Sequence, residues 1–144
     1  MESYRGWRLQ GGHLWSANND TLWESPTLTA VCKHGCEAGF CIQNHDCTCG
    51  IYSRKDLGHL LKEYGHMDVY GIVYNHGVVF EGQTGLRSEK VTIRALFTAD
   101  FHTGKILEQN YPGVAILVPP AEIFKQMLAQ QGGGGGAPQQ GAAA

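Results

Sequence analysis

Large apolar residues alternate with charged ones along Tyr4-Arg5-Gly6-Trp7-Arg8-Leu9, the period of two expected of a strand. Gln10-Gly11-Gly12 supplies a turn and His13-Leu14-Trp15 a returning strand, so the chain is expected to open with a hairpin. Residues 16–26 are polar apart from Leu22-Trp23 and read as a loop that tucks Trp23 against the core, and 27–31 read as a brief strand running into Cys32. Beyond the cysteines the period changes. Leu57, Leu60, Leu61 and Tyr64 recur at helical spacing while Lys62 and Glu63 face outward; Ser53-Arg54-Lys55-Asp56 resembles a capping box and Gly65 a C-cap. Residues 68–74 then read as a strand, Asn75-His76-Gly77 as a turn, and 78–81 as the strand pairing back across it. After a break at Gly82-Gln83-Thr84-Gly85, residues 87–98 form the longest strand candidate. Val91, Ile93, Ala95 and Phe97 share one face, with Lys90, Thr92, Arg94 and Leu96 on a half-exposed other face. The continuous apolar run 114–118 suggests a central strand. Pro119-Pro120 stops it and pre-sets a second helix with Ile123, Phe124, Met127 and Leu128 on one face. These elements sum to an α+β domain: a mostly antiparallel sheet, two helices and a Cys-rich zinc-binding loop.

Composition narrows the class. Apolar residues are 42% of the 144, as in soluble globular domains. From Gly132 the chain reads GGGGGAPQQGAAA, which cannot bury enough apolar surface to offset the entropy of ordering it. Residues 1–131 are therefore expected to form a single zinc-containing domain, and 132–144 a disordered Gly/Ala/Gln-rich tail. A domain of this size gains noticeably from a metal staple. The net charge is −2, from 11 Lys plus Arg against 13 Asp plus Glu. A surface that tracks nucleic-acid phosphates carries a basic excess, and Arg54-Lys55 with the scattered Arg87, Lys90 and Arg94 supply a thin one. No segment has the apolar length of a signal peptide core or a membrane span, so a soluble cytoplasmic protein is expected, with no membrane partner.

All five cysteines fall between positions 32 and 49. An odd number confined to one segment does not staple a whole chain with disulfides, and a reducing cytosol disfavours them. Close spacing fits metal ligation, and zinc takes four donors in a tetrahedron with thiolates bound as anions. Cys32 bounds the segment on one side and the Cys47-Thr48-Cys49 pair on the other, making these three the firmest ligands. The latter two converge on one ion only if Thr48 sits in a turn, which Gly50 eases. Cys41 is the leading fourth ligand of a structural Zn²⁺ site, ahead of His45 and Cys36, and His34 also competes. Lys33 is placed to offset the site's negative charge.

Other constellations carry less chemistry. His66, His76 and His102 are scattered, and no HExxH pair occurs. Gly82–Gly85 lacks the Lys-Ser/Thr of a phosphate loop and reads as a turn. Arg87 and Glu89, two apart on a strand, share a face and are expected to form a structural link to each other or to an adjacent loop. Trp7, Trp15 and Trp23 are expected as core and hairpin cover.

Gly6-Trp7-Arg8, a Cys32 preceded by Ala30-Val31, Cys47-Thr-Cys49-Gly-Ile-Tyr-Ser, and YGIVYNHGVVFEGQTGLRSEKV over 70–91 occur in an order that resembles a family of small zinc-site proteins from actinobacteria and their phages. The resemblance spans about residues 6–96. It implies that Cys32, Cys47 and Cys49 match recurrent cysteines and that Gly85, Arg87 and Glu89 match a later motif. It also implies that a His stands where this chain offers Cys41. It implies no activity. Three functions therefore compete. One is a non-enzymatic interaction or regulatory protein, phage-encoded, with a protein partner and exposed aromatic residues beside the metal loop. Another is a nucleic-acid-binding zinc module with Lys33, Arg54 and Lys55 in a basic stripe. The third is a small enzyme with Arg87, Glu89 and a histidine in a deep cleft.

Overall fold

A computed structural model describes residues 1–32, 47–119 and 126. Strand β1 (Glu2–Gln10) turns through Gly11 and Gly12 into β2 (His13–Ser16). Both glycines have positive φ, 62° and 81°, as a two-residue hairpin turn that matches strand twist requires. Residues Leu22–Trp23 form β3 against β2, so the stretch read as a loop contributes a short strand that carries Trp23 into the core. Strand β4 (Thr27–Thr29) follows, and after the cysteine segment come β5 (Ile51–Arg54), α1 (Leu57–Tyr64), β6 (Val69–Glu81), β7 (Gly85–Phe97), α2 (Phe101–Asn110) and β8 (Ala115–Leu117). The architecture is the expected α+β: one mostly antiparallel sheet with two helices among the described residues. No helix there is long and apolar enough to cross a membrane.

The long hairpin β6–β7 organises the sheet. One edge of β7 pairs along most of its length with β6. The other edge is shared end to end by three short strands: β5 on residues 85–88, β4 on 90–92 and, in parallel, β8 on 95–97. Strand β1 pairs with β6 and, through Tyr4 and Arg54, with β5, so β1, β6, β7 and β5 close a ring. Each of the four strands sends one buried polar residue inward. Asn75 Oδ1 accepts from Ser3 at 2.6 Å, and its Nδ2 donates to Ser88 at 2.8 Å and Ser53 at 3.1 Å. With both amide hydrogens and the oxygen of Asn75 engaged, the network fixes which strands meet.

Several local expectations change. Asn75-His76-Gly77 is no hairpin turn; β6 runs through it, and Gly77 with Val78 opposes the single residue Glu89 in a bulge. Gly77 sits at φ 72°, and Glu89 Oε1 accepts from Val78 N at 3.0 Å. A second bulge leaves Arg94 unpaired between Ile93 and Ala95. That extra residue inverts the alternation, so Leu96 rejoins Val91 and Ile93 in the main core instead of facing outward. Phe97 packs on the opposite side, with Tyr70 and α1. Ser53 lies in β5 and does not cap a helix. The N-cap is Asp56, whose carboxylate accepts from His59 N at 3.2 Å. Gly65 ends α1 without a left-handed turn; a side chain there would press to 2.7 Å from Leu61 O. Residues 114–118 supply a three-residue strand with one partner among the described residues, β7, rather than a central strand. The parallel pairing requires a crossover, and the helix unforeseen in the sequence, α2, provides it. The helix expected around Ile123, Phe124, Met127 and Leu128 and the Gly-rich tail lie outside the described residues.

The main core gathers Trp7, Leu14, Trp23, Val69, Val73, Val91, Ile93, Leu96, Leu107 and Tyr111. Trp7 and Trp23 meet edge to face with ring centres 5.5 Å apart, while Trp15 covers the hairpin, its Nε1 donating to Gln10 O. Tyr111 ties α2 to the opening hairpin: its hydroxyl accepts from Leu14 N at 2.7 Å and donates to Trp23 O at 2.6 Å.

Candidate metal centre

Strand β4 reaches Lys90 on the edge of β7, Ala30 N donates to Glu89 O at 2.8 Å, and β5 begins one residue on, at Ser88. The chain thus leaves the sheet edge and returns to it at adjacent points, which sets Cys32 beside Cys47 and Cys49. Their sulfurs all lie within 4.8 Å of one another, with Cys32 and Cys47 3.7 Å apart. That separation excludes a disulfide between these two, whose sulfurs would then stand about 2.05 Å apart. It agrees with the ~3.8 Å between two thiolates bound tetrahedrally at ~2.3 Å from one zinc ion. Cys32 and Cys47 are buried and Cys49 half-buried. Three of the four predicted ligands are therefore in place to hold a metal ion. Cys41, the fourth, and the competing Cys36, His34 and His45 lie outside the described residues, as does Lys33.

The Cys47–Cys49 turn is held by residues remote in sequence. Arg87 Nη1 donates to Cys47 O and, at 3.3 Å, to Cys49 O. Tyr52 OH donates to the intervening Thr48 O at 2.8 Å. Three successive carbonyls are thereby satisfied, and Gly50, at φ 118°, lets the chain turn away into β5. Arg87 is buried, with its guanidinium 5.4 Å from the Phe80 ring centre. Its positive charge stands at the carbonyls of two of the three cysteines. Arg87 and Glu89 do not pair with each other; each grips a neighbouring backbone segment, Glu89 the β6 bulge and Arg87 the cysteine turn. Sequence alone did not reveal Arg87 as a supporter of the metal loop, although its place in the Gly85-Leu-Arg87-Ser-Glu89 motif was noticed.

The scattered histidines stay apart from the site. His76 Nε2 lies 3.0 Å from Thr92 Oγ1 and its ring stacks near Tyr74. Among the described residues, the three cysteines form the one His/Cys/Asp/Glu cluster close enough to share an ion.

A cleft of about 640 Å³ adjoins the centre. Val31, Thr48, Cys49 and Gly50, at or beside the cysteines in the chain, line it together with Arg5, Tyr52, Arg54 and Tyr64. Arg5 is half-buried; it donates from Nη1 to Tyr52 O and from Nη2 to Ser16 Oγ at 3.0 Å, and lies 5.4 Å from the Trp23 ring centre. Burial pulls its guanidinium down to about 10, and it remains a cation at neutral pH. Arg54 is bound to Glu63 at 2.6 Å. Val31, 83% exposed, and Tyr52, 44% exposed, stand on the surface beside the metal loop. Comparison of the chain with protein-family models, curated proteins and solved structures found no match.

Proposed function

We propose that the chain is a cytoplasmic, non-enzymatic interaction or regulatory protein, phage-encoded like members of the family it resembles. In this reading Cys32, Cys47 and Cys49, with Cys41 as fourth donor, hold a structural zinc ion. The observation that carries the reading is the closed neck of the cysteine segment. Three sulfurs converge at zinc-like spacing, and Arg87 and Tyr52 brace the turn between two of them. Cys32 and Cys47 sulfurs 3.7 Å apart with no bond between them also fit a reducing compartment. Zinc ties the segment to the sheet edge, and exposed Val31 and Tyr52 beside it offer an apolar and an aromatic contact for a protein partner.

The alternatives have less support. Of the three basic residues assigned to a nucleic-acid stripe, the two described are neutralised, Arg54 by Glu63 and Lys55 by Glu81, each at 2.6 Å. The residues assigned to an enzyme, Arg87 and Glu89, do not line the cleft, and both hold backbone.

Native mass spectrometry with elemental analysis tests the metal: one zinc per chain is expected, lost together with thermal stability in Cys47→Ser or Cys49→Ser. A metal-free protein with an unchanged melting temperature refutes it. For the partner, affinity capture from the native host is run with the wild type and a Val31→Asp variant, a residue that takes no part in bracing the cysteine turn. Retention of zinc and melting temperature with loss of the captured protein is the expected pattern; capture unaffected by the change removes this surface from the proposal.

A further inference from the structure

The cleft beside the cysteines contains an uncompensated charge. Arg54, which also lines it, is neutralised by Glu63, but among the described residues no carboxylate lies within ion-pair distance of Arg5. Its Nε is enclosed and has no hydrogen-bond partner among them. Taking a guanidinium out of water costs several kcal/mol unless an anion or a full set of acceptors answers it. Among the described residues Arg5 has two acceptors, Tyr52 O and Ser16 Oγ, for five N–H groups. These two bonds and the Trp23 ring hold the planar fork in one orientation, so no side-chain ordering remains to be done when an anion arrives. The surrounding wall supplies a ligand's body. Leu28, Val31 and Tyr4 give apolar and aromatic surface, and Asn18, whose Nδ2 donates to Tyr64 OH at 2.8 Å, adds an amide. A volume of about 640 Å³ lies within the range of small-molecule sites.

We propose that this cleft binds a small organic monocarboxylate, with its carboxylate on Arg5 and its apolar or aromatic body against the tyrosine-lined wall. Arginine also recognises phosphate, but the cleft offers one uncompensated positive charge. One guanidinium balances a carboxylate and leaves a phosphate dianion half-compensated in a partly enclosed site. The proposal does not depend on a protein partner or on the identity of the metal.

The test uses the metal-loaded full chain at neutral pH with three probes of similar shape: benzoate, benzamide and phenyl phosphate. Each is titrated at constant ionic strength while the Arg side-chain Nε–H signals are followed by NMR and the melting temperature is recorded. Benzoate is expected to move the Arg5 signal and raise the melting temperature saturably, benzamide to do neither, and phenyl phosphate to bind more weakly. Arg5→Gln should weaken benzoate binding roughly tenfold or more, the scale of losing a charge-assisted pair. If that variant does not fold, the wild-type Arg5 signal still decides. Equal responses to benzoate and benzamide, no saturable change through millimolar benzoate, or tighter phenyl phosphate binding would each overturn the proposal.

Discussion

Arg87 is where one side chain decides whether the Cys47–Cys49 turn exists. Residues i and i+2 of an extended chain share a face but stand about 7 Å apart along it, so their sulfurs come within 4.8 Å of each other only if the backbone between them folds. That fold puts three carbonyls close together, and Arg87 and Tyr52 answer them. A lysine at 87 retains the charge but presents a compact ammonium in place of the fork that reaches two acceptors. Arg87→Lys is therefore expected to lower stability by about 1.5–3 kcal/mol, the value of a buried hydrogen bond to a charged group. It should weaken metal binding roughly 10–100-fold, as loss of a residue that orients ligands does. Chelator competition and thermal denaturation measure the two effects. A metal affinity equal to that of the wild type would show that the turn forms without the fork. The three sulfurs were legible because ligand type and spacing are local signals. Arg87 was not, because its partners lie about forty residues earlier, and neither hydropathy nor spacing records a pairing made by two strands meeting across a sheet.

Elements tell the same story through their irregularities. Asn75-His76-Gly77 satisfies the rule for a turn because glycine takes positive φ easily, and a bulge makes the same demand. What separates the two is the partner: here β7 runs beside both halves of β6, and Glu89 fills the gap by accepting from Val78 N. Gly77→Ala would strain the backbone and set a Cβ 2.5 Å from Glu89 Oε1, so the carboxylate must leave. Gly11 also has positive φ, but nothing lies within 4 Å of its Cβ direction. Urea unfolding should show Gly11→Ala costing about 1–2 kcal/mol from strain alone and Gly77→Ala about 1 kcal/mol more, for the lost hydrogen bond. Equal costs would mean that the Glu89 contact contributes nothing. Helix α2 was missed for the opposite reason, too weak a signal: it buries only Gly104 and Leu107, leaves Phe101 exposed, and carries a helix-weakening glycine. That glycine is needed because a Cβ would come within 2.7 Å of Val118 Cγ2. The residue just past the helix anchors it. Tyr111→Phe leaves buried Leu14 N–H and Trp23 C=O without their hydroxyl and should cost about 2–4 kcal/mol in chemical denaturation.

Across the whole molecule, the ring β1–β6–β7–β5 explains what pattern reading captured and what it did not. Alternation identified β1, β2 and most of β6 and β7, since each presents a local period of two. Closure was illegible because it depends on Ser3, Ser53, Asn75 and Ser88, small polar residues that resemble surface residues until four strands bring them together. The closed fold also sets how stability responds to pH. Burial raises the hydroxyls of Tyr70 and Tyr111 above their ordinary value. Above about pH 10 the unfolded chain gives up these protons first. The folded state then binds more protons, and stability falls as pH rises through that region; Tyr111→Phe should flatten the fall. On the acid side, hydrogen bonds from the Thr103 side chain and backbone hold Asp100 below its ordinary value. Its stabilisation is present above the unfolded carboxylate value and is lost as pH falls toward the folded one. A metal ion held by Cys32, Cys47 and Cys49 would add an earlier acid loss, because protons compete with the ion for the sulfurs. Melting curves over pH, with and without a strong chelator, separate the contributions. The loaded chain should be the more stable one near neutrality and converge on the chelated chain as acid strips the ion, whereas the alkaline fall should be common to both. Superimposed curves at every pH would mean that the three sulfurs, however well placed, bind no ion that matters to the fold.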